Sequence, residues 1–202
     1  MENSVINSYL KCYVIGPMEK VAANDSGRGW RDKLRPELES LHDKNNNPLY
    51  VFDPTKEEQN KVGVEPKTFH KKLKGWLASG NNDLIAEGTD LIWKGKTYLE
   101  PAGEGKDPRL VHIMGDVDYT LKSNFLILRM EEGDAPCGTF GEACLGFMNK
   151  IPIYVLQTMS RDKYPITLTG WVFASGGGFF NTQAELIEHL MKTYNLKKVT
   201  NG

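Results

Sequence analysis

Phe125-Leu126-Ile127-Leu128-Arg129-Met130 is the stretch on which the fold turns. Five of its six side chains are apolar, with none of the alternation that a strand facing water on one side would show. A short continuous run of this kind belongs to a strand covered on both faces, as in the parallel sheet of an α/β protein. Residues 131–136 follow as a loop. Cys137-Gly138-Thr139-Phe140-Gly141-Glu142-Ala143-Cys144-Leu145-Gly146-Phe147-Met148 then reads as a helix, and residues 151–156 (IPIYVL) as another buried strand. Strand, loop, helix and strand in that order predict a parallel βαβ unit.

The same rhythm opens the chain. Residues 9–16 (YLKCYVIG) are β-branched and aromatic and stop at Gly16-Pro17, which predicts a strand whose end opens into a loop. Trp30, Leu34, Leu38 and Leu41 mark an amphipathic helix, in which Pro36 removes one backbone donor and predicts either a kink or a later first turn. Residues 48–52 (PLYVF) make a second strand, ended by Asp53-Pro54. Sheets of this class bind ligands beyond the carboxyl ends of their strands, so Gly16-Pro17 and Asp53-Pro54 fall on the functional edge.

Between these halves the pattern is looser. Pro66, Phe69, Leu73 and Trp76 predict a helix stopped by Gly80. Residues 91–93 and 97–99 predict the arms of a small hairpin about Lys94-Gly95-Lys96, and Asn81, Asn82, Gly103 and Gly105 punctuate loops. Its apolar content is thin, so the reading is a single domain, 1–202, with an elaboration inserted at about 55–115. Residues 116–123 predict a short helix, and Thr182-Gln183-Ala184-Glu185 has the capping-box pattern ahead of a last helix carrying Leu186, Ile187, Leu190 and Met191.

Composition narrows the partners. The 202 residues are 40% hydrophobic and 25% charged, which suits a globular domain with a real core. A net charge of -1 with no concentrated Lys and Arg gives no reason for duplex nucleic acid or an anionic membrane, and leaves small molecules. Cys12, Cys137 and Cys144 form no CxxC pair and lie beside apolar residues, as reduced thiols of a cytoplasmic protein do. Residues 1–8 have neither a basic nor an apolar leader pattern, and no apolar run approaches the ~20 residues that span a bilayer. His42, His70, His112 and His189 lack ligand spacing, so no metal site is expected.

Glu142 is the one charged residue in its stretch. A helix starting after the loop would put it within the first turn or so, at the carboxyl edge, where free backbone N–H groups and the helix dipole favour the ionised form at neutral pH. Glycines 138, 141 and 146 each cost roughly 1 kcal/mol of helix propensity against alanine, a loss that close approach of backbone or ligand offsets. Two other readings stay open. Glu142 could simply complement the dipole while the glycines allow tight packing; a phosphate-binding glycine loop is opposed by the carboxylate itself and by the lack of a following GK[ST]. Asp118 precedes FLILRM and Asp134 follows it. Each alone reads as a cap or turn residue, but with Glu142 they form the set of carboxylates that glycosyl transfer uses.

Taken together, Tyr13-Val14-Ile15-Gly16-Pro17-Met18, Asp118 ahead of Leu121-Lys122-Ser123-Asn124-Phe125-Leu126-Ile127-Leu128, and Gly138-Thr139-Phe140-Gly141-Glu142-Ala143-Cys144-Leu145-Gly146 resemble the nucleoside 2-deoxyribosyltransferases and the related nucleoside 5'-monophosphate N-glycosidases. That family carries a YxAGP-like strand end, an acid before an LxxSD strand and a GTxxExGxA helix in the same order. Asn149-Lys150-Ile151-Pro152-Ile153 falls where its GKPV strand does, and the likeness covers roughly residues 9–54 and 116–156. The resemblance implies a flavodoxin-like or Rossmann-like parallel sheet flanked by helices, and a homo-oligomer, because many members complete each site from a neighbouring subunit. It implies no cofactor.

The resemblance also assigns roles. Glu142 would be the nucleophile that attacks the anomeric carbon, Asp118 the acid exchanging a proton with the base, and Tyr13 a hydrogen-bond partner of the nucleophile. Gly16 and Pro17 would let substrate approach the backbone, Gly138 and Thr139 would line its site, and Asp134 would lie near the sugar or base. Arg28 and Arg31, in a Gly/Arg-rich loop, would hold a 5'-phosphate, with solvated surface arginines as the alternative. Two departures stand out: Ser123-Asn124 replaces the family's Ser-Asp, and the 55–115 segment is longer than usual, with no base-recognition residue mapped into it. Two other functions remain in view, a nucleotide or sugar-phosphate sensor without chemistry and a hydrolase of NAD-like substrates.

Overall fold

The computed structural model describes residues 9–18, 28–57, 63–64, 66–101, 107–134 and 136–199. The N-terminal residues 1–8, the loop residues 24–27 and the punctuating Gly103 and Gly105 lie outside them. In chain order the elements are β1 (Lys11–Ile15), α1 (Arg28–Glu39), β2 (Leu41–His42), β3 (Tyr50–Phe52), α2 (Pro66–Ala78), α3 (Asn82–Lys94), β4 (Lys96–Glu100), β5 (Arg109–Ile113) and α4 (Asp116–Lys122). There follow β6 (Phe125–Leu128), α5 (Cys137–Met148), β7 (Ile153–Leu156), α6 (Ile166–Ala174), β8 (Gly178–Phe180), α7 (Gln183–Tyr194) and β9 (Lys197–Lys198). They form two compact units, residues 1–53 with 120–202, and residues 54–119.

The first unit is α/β. Its five strands are all parallel in the order β3-β1-β6-β7-β8, the flavodoxin-like arrangement within the Rossmann class. The chain leaves β1 toward β3 and returns on the other side to β6, so the order reverses between β1 and β6. Strand alternation sorts the core into two layers. Cys12, Val14, Val51, Phe125, Ile127, Tyr154 and Leu156 pack with Leu34 and Leu38 of α1 and with Leu186, Ile187 and Leu190 of α7. Tyr13, Ile15, Leu126, Leu128, Ile153 and Val155 are buried on the opposite face, where α5 lies over β1, β6 and β7 and α6 over β7.

Pro36 neither starts nor ends α1. The helix begins at Arg28 and the proline sits in its last turn, where the missing N–H affects one bond. At α7 the Thr182 hydroxyl accepts from the Glu185 N–H at 3.1 Å, while the Glu185 carboxylate accepts from the N–H of Asn181, one residue before the cap. α6 and β8 were not foreseen: their stretch runs apolar without period into three consecutive glycines.

The segment read as an elaboration at about 55–115 falls in the 54–119 unit, and one of its elements differs from expectation. Residues 91–93 belong to α3, not to a hairpin arm, because Leu84, Ile85, Gly88, Leu91 and Ile92 continue a helical stripe that overrides local β-propensity. Asn81 caps the start by accepting from the Leu84 N–H at 3.3 Å. Gly95, at φ 72°, ends the helix, and β4 then pairs antiparallel with β5. Among the described residues, no helix is long and apolar enough to cross a membrane.

Burial pushes the Cys12 thiol well above its ordinary range, and the nearby Glu39 carboxylate adds in the same direction. Cys137 is exposed. Iodoacetamide on the native protein is therefore expected to alkylate Cys137 first and Cys12 only on unfolding, as peptide mass mapping would register. Rapid native labelling of Cys12 would contradict this packing.

Candidate functional site

The buried residues of α5 are Thr139, Glu142, Ala143 and Gly146, a stripe at helical spacing that faces the sheet. Gly146 makes the close approach: a Cβ there would collide with the Leu126 side chain of β6, whereas Gly138 has open space beside it. The helix starts at Cys137, with Pro136 at the cap and no side-chain capping bond, so Glu142 is its sixth residue. It lies in the second turn, just past the first turn or so that the sequence suggests, and beyond the amides that a helix start leaves free.

What meets the Glu142 carboxylate instead is the Tyr13 hydroxyl, which donates to Oε1 at 2.6 Å. Tyr13 is fully buried on the α5 side of β1, and Glu142 is 6% exposed. The distance is that of a charge-assisted O–H···O⁻ bond, and it brings β1 and the helix after β6 together beside the reversal of strand order. Of the site residues expected from sequence, Tyr13 and Glu142 are in contact, and Gly138 and Thr139 share Glu142's helix.

Gly16 and Pro17 are buried at the exit of β1. A Cβ on Gly16 would fall on the Arg129 carbonyl oxygen, and the Trp30 ring and Arg31 guanidinium crowd the same point. Arg31 is the clearest departure from expectation. It is fully buried, its Nη2 donates to the Gly16 carbonyl at 2.8 Å and its Nε to the Val14 carbonyl at 3.3 Å, and Asp53 lies 4.0 Å away with no exposure. It is therefore neither a surface cation nor one open to a phosphate, but holds the end of β1. Trp30 stacks on its guanidinium, 4.5 Å from the ring centroid. Arg28 is the first residue of α1 and partly exposed.

Asp134 closes the turn after β6. Its Oδ2 accepts from the Glu131 N–H at 2.6 Å, and its Oδ1 is buried with no hydrogen-bond partner among the described residues. Farther along the same sheet edge, beyond β7 and β8, an open groove of about 630 Å³ is lined by Gln157, Thr158, Met159, Ser160, Arg161 and Asn181. No reading of the sequence pointed to this groove.

Asp118 belongs to the 54–119 unit. Its Oδ2 lies 2.7 Å from His112 Nε2 and accepts from the Gly115 N–H at 3.2 Å. In the sequence His112 reads only as one of four scattered histidines. Its signal was the residue opposite it in a hairpin whose pairing the sequence did not reveal. Among the described residues, no group of three His, Cys, Asp or Glu side chains could hold a metal ion.

No family model and no curated protein matches the chain. Among solved structures it is similar to the crystal structure of a conserved protein from Enterococcus faecalis V583, with 14% identity and a TM-score of 0.51, over 92% of this chain and 99% of that one. Likeness at that identity carries the α/β fold and no side-chain role.

The place given to Arg31 has its own test. Arg31→Leu removes the bonds to the Val14 and Gly16 carbonyls and takes a buried guanidinium from beside Asp53, so stability is expected to fall by about 3–5 kcal/mol in urea unfolding. A loss under about 1 kcal/mol, the scale of a surface substitution, would return Arg31 to the surface role.

Proposed function

We propose that this chain cleaves or transfers the N-glycosidic bond of a (deoxy)nucleoside or nucleoside 5'-monophosphate by double displacement, with Glu142 as nucleophile. One observation carries the reading: a buried carboxylate, held by the buried Tyr13 hydroxyl, at the carboxyl edge beside the reversal of strand order. An isolated ionised carboxylate is expensive to bury, and a tyrosine that fixes one of its oxygens suits a group that must attack from a set direction.

In the first step a Glu142 oxygen bonds to the anomeric carbon as the carbon–nitrogen bond breaks, and the bonding pair leaves with the base. The resemblance gives the proton that the base takes up to Asp118. In the second step water or another base attacks the same carbon and frees the carboxylate, giving hydrolysis or transfer. The resemblance calls for no cofactor. Gly16 and Gly138 would admit the sugar, and the unused oxygen of Asp134 is an acceptor near the same strand end. A reduced, cytoplasmic setting goes with three free thiols.

The homo-oligomer implied by the resemblance draws support from α6, where Ile166 and Phe173, seven residues apart on one helix face, are 84% and 52% exposed.

A panel of nucleosides, 5'-monophosphates and NAD, with free base read by chromatography, tests the chemistry. Glu142→Ala is expected to abolish release with the fold intact, and Tyr13→Phe to lower kcat/KM about 10- to 150-fold, the loss of one hydrogen bond to a charged group. Undiminished release from Glu142→Ala would refute the nucleophile. Saturable binding without release would indicate a sensor, and release from NAD alone a glycohydrolase.

Light scattering behind size exclusion tests the assembly. The wild type is expected as a dimer or larger, and Ile166→Glu with Phe173→Glu as a smaller species. A monomeric wild type would overturn the oligomer.

A further inference from the structure

The groove of about 630 Å³ beyond β7 and β8 has a single charged side chain in its wall among the described residues, Arg161. Its guanidinium carbon lies 5.2 Å from the ring centroid of Phe179 in β8 and 5.8 Å from that of Phe173 in α6, two rings that meet each other at 5.7 Å. All the N–H donors of a guanidinium lie in its own plane, so aromatic rings can hold the group while accepting from none of them. Arg31, Arg35, Arg109 and Arg129 each reach an acceptor. Among the described residues, no carboxylate, carbonyl or hydroxyl accepts from the side chain of Arg161.

A second polar group of the same wall is incomplete. Leu156 pairs with Phe180, so Gln157 and Asn181 face each other one step beyond the strand ends. Gln157 Nε2 donates to Asn181 Oδ1 at 2.5 Å, while Gln157 Oε1 is buried with no donor among the described residues. A buried acceptor left this way is costly, and in native proteins it marks a place that water or a ligand completes. The Thr158 hydroxyl donates to the Met130 carbonyl and the Ser160 hydroxyl to the Asp162 carboxylate, so toward the groove both oxygens are acceptors. Nearby carboxylates are turned to other partners. Asp162 is held below the usual carboxylate range by that Ser160 hydroxyl and by a backbone N–H, Glu185 accepts from the Asn181 N–H at 2.9 Å, and Glu132 pairs with Lys163 at 2.7 Å.

We propose that this groove binds a small hydroxylated molecule bearing one oxyanion, a sugar phosphate or a sugar acid, at a site that shares no residue with the Tyr13–Glu142 pair. The oxyanion takes the in-plane N–H groups of Arg161, whose fork matches two oxygens of a phosphate or carboxylate. Because Phe173 and Phe179 already restrict the side chain, less freedom is lost when the anion arrives. A bare anion would fill little of the groove and, having no proton to give, would leave Gln157 Oε1, Thr158 and Ser160 unserved. A hydroxyl both donates and accepts, so a hydroxylated carbon chain can give protons to those oxygens and accept from the Asn181 amide. The site is independent of the N-glycosidic reading, since binding here needs no bond to break.

Calorimetric titration of the full chain tests the site, with ribose 5-phosphate, glucose 6-phosphate and gluconate as anionic sugars, and ribose, glucose and inorganic phosphate as controls. At least one anionic sugar is expected to bind saturably, about 10-fold or more tighter than every control, the share of one charged hydrogen bond. Binding of the phosphates alone assigns a sugar phosphate, and of gluconate alone a sugar acid. Arg161→Met keeps an unbranched chain against the two rings and is expected to weaken that binding about 10- to 150-fold, while Glu142→Ala leaves it within about twofold. The site is overturned if no anionic sugar binds saturably, if inorganic phosphate binds as tightly as the sugar phosphates, if binding survives Arg161→Met, or if Glu142→Ala weakens it as much.

Discussion

A carboxylate withdrawn from water must have its hydration replaced, and for Glu142 part of the replacement is the Tyr13 hydroxyl, 2.6 Å away. Much of the α/β unit is arranged so that this bond can form. Tyr13 reaches α5 because alternation along β1 sends Cys12 and Val14 into the layer of α1 and α7, and a slip of one residue would reverse all three. The parallel register that seats Tyr13 between Phe52 and Leu126 is therefore also what aims its hydroxyl. From the other side, Gly146 lets α5 settle onto Leu126 and brings the sixth residue of the helix within reach of β1.

The exit of β1 is held by a second buried polar arrangement. Arg31 reaches back from α1 to the carbonyls of Val14 and Gly16, groups at the end of the strand that would otherwise seek water. A planar guanidinium with several donors can serve two carbonyls at once and still lie near Asp53 at the end of β3. Two strand ends and the first helix are thus tied together beneath the edge where Tyr13 meets Glu142. Fixing the backbone at that point limits how far the strand end beneath the Tyr13–Glu142 bond can move.

The sequence disclosed most where the local signal and the tertiary demand agree. Phe125–Leu128 and Ile153–Leu156 are apolar because they are central strands, and they read as such. The Tyr13–Glu142 bond spans 129 positions and came into view only through the resemblance, since spacing cannot reveal it. Arg31 was misplaced for a physical reason: an arginine in a glycine-rich stretch reads as solvated, and nothing local signals that two carbonyls and an aspartate await it. Residues 91–93 were misassigned because a β-prone triplet was weighed without the stripe that begins at Leu84. His112 was overlooked because its partners are set by a strand pairing that joins residues 97 and 112 across a long connection.

A parallel sheet of this order serves many chemistries, so the weight of the functional argument falls on the cost of its polar groups. An apolar pair of similar volume in place of Tyr13 and Glu142 would pack the same space without desolvating a carboxylate, and such exchanges are often neutral or stabilising by about 1–4 kcal/mol. A helix that needed only to lie on the sheet has no use for an acid at its sixth position, where the free amides have ended. Dipole complementarity, the simplest alternative for Glu142, is weakened by that same depth, because the effect fades within the first turn. What remains is a carboxylate kept at the ligand edge of the sheet despite its cost, and oriented by a partner that is itself immobilised in the core. Those properties are what the proposed role of Glu142 as a nucleophile asks for, and packing of the helix on the sheet does not ask for them.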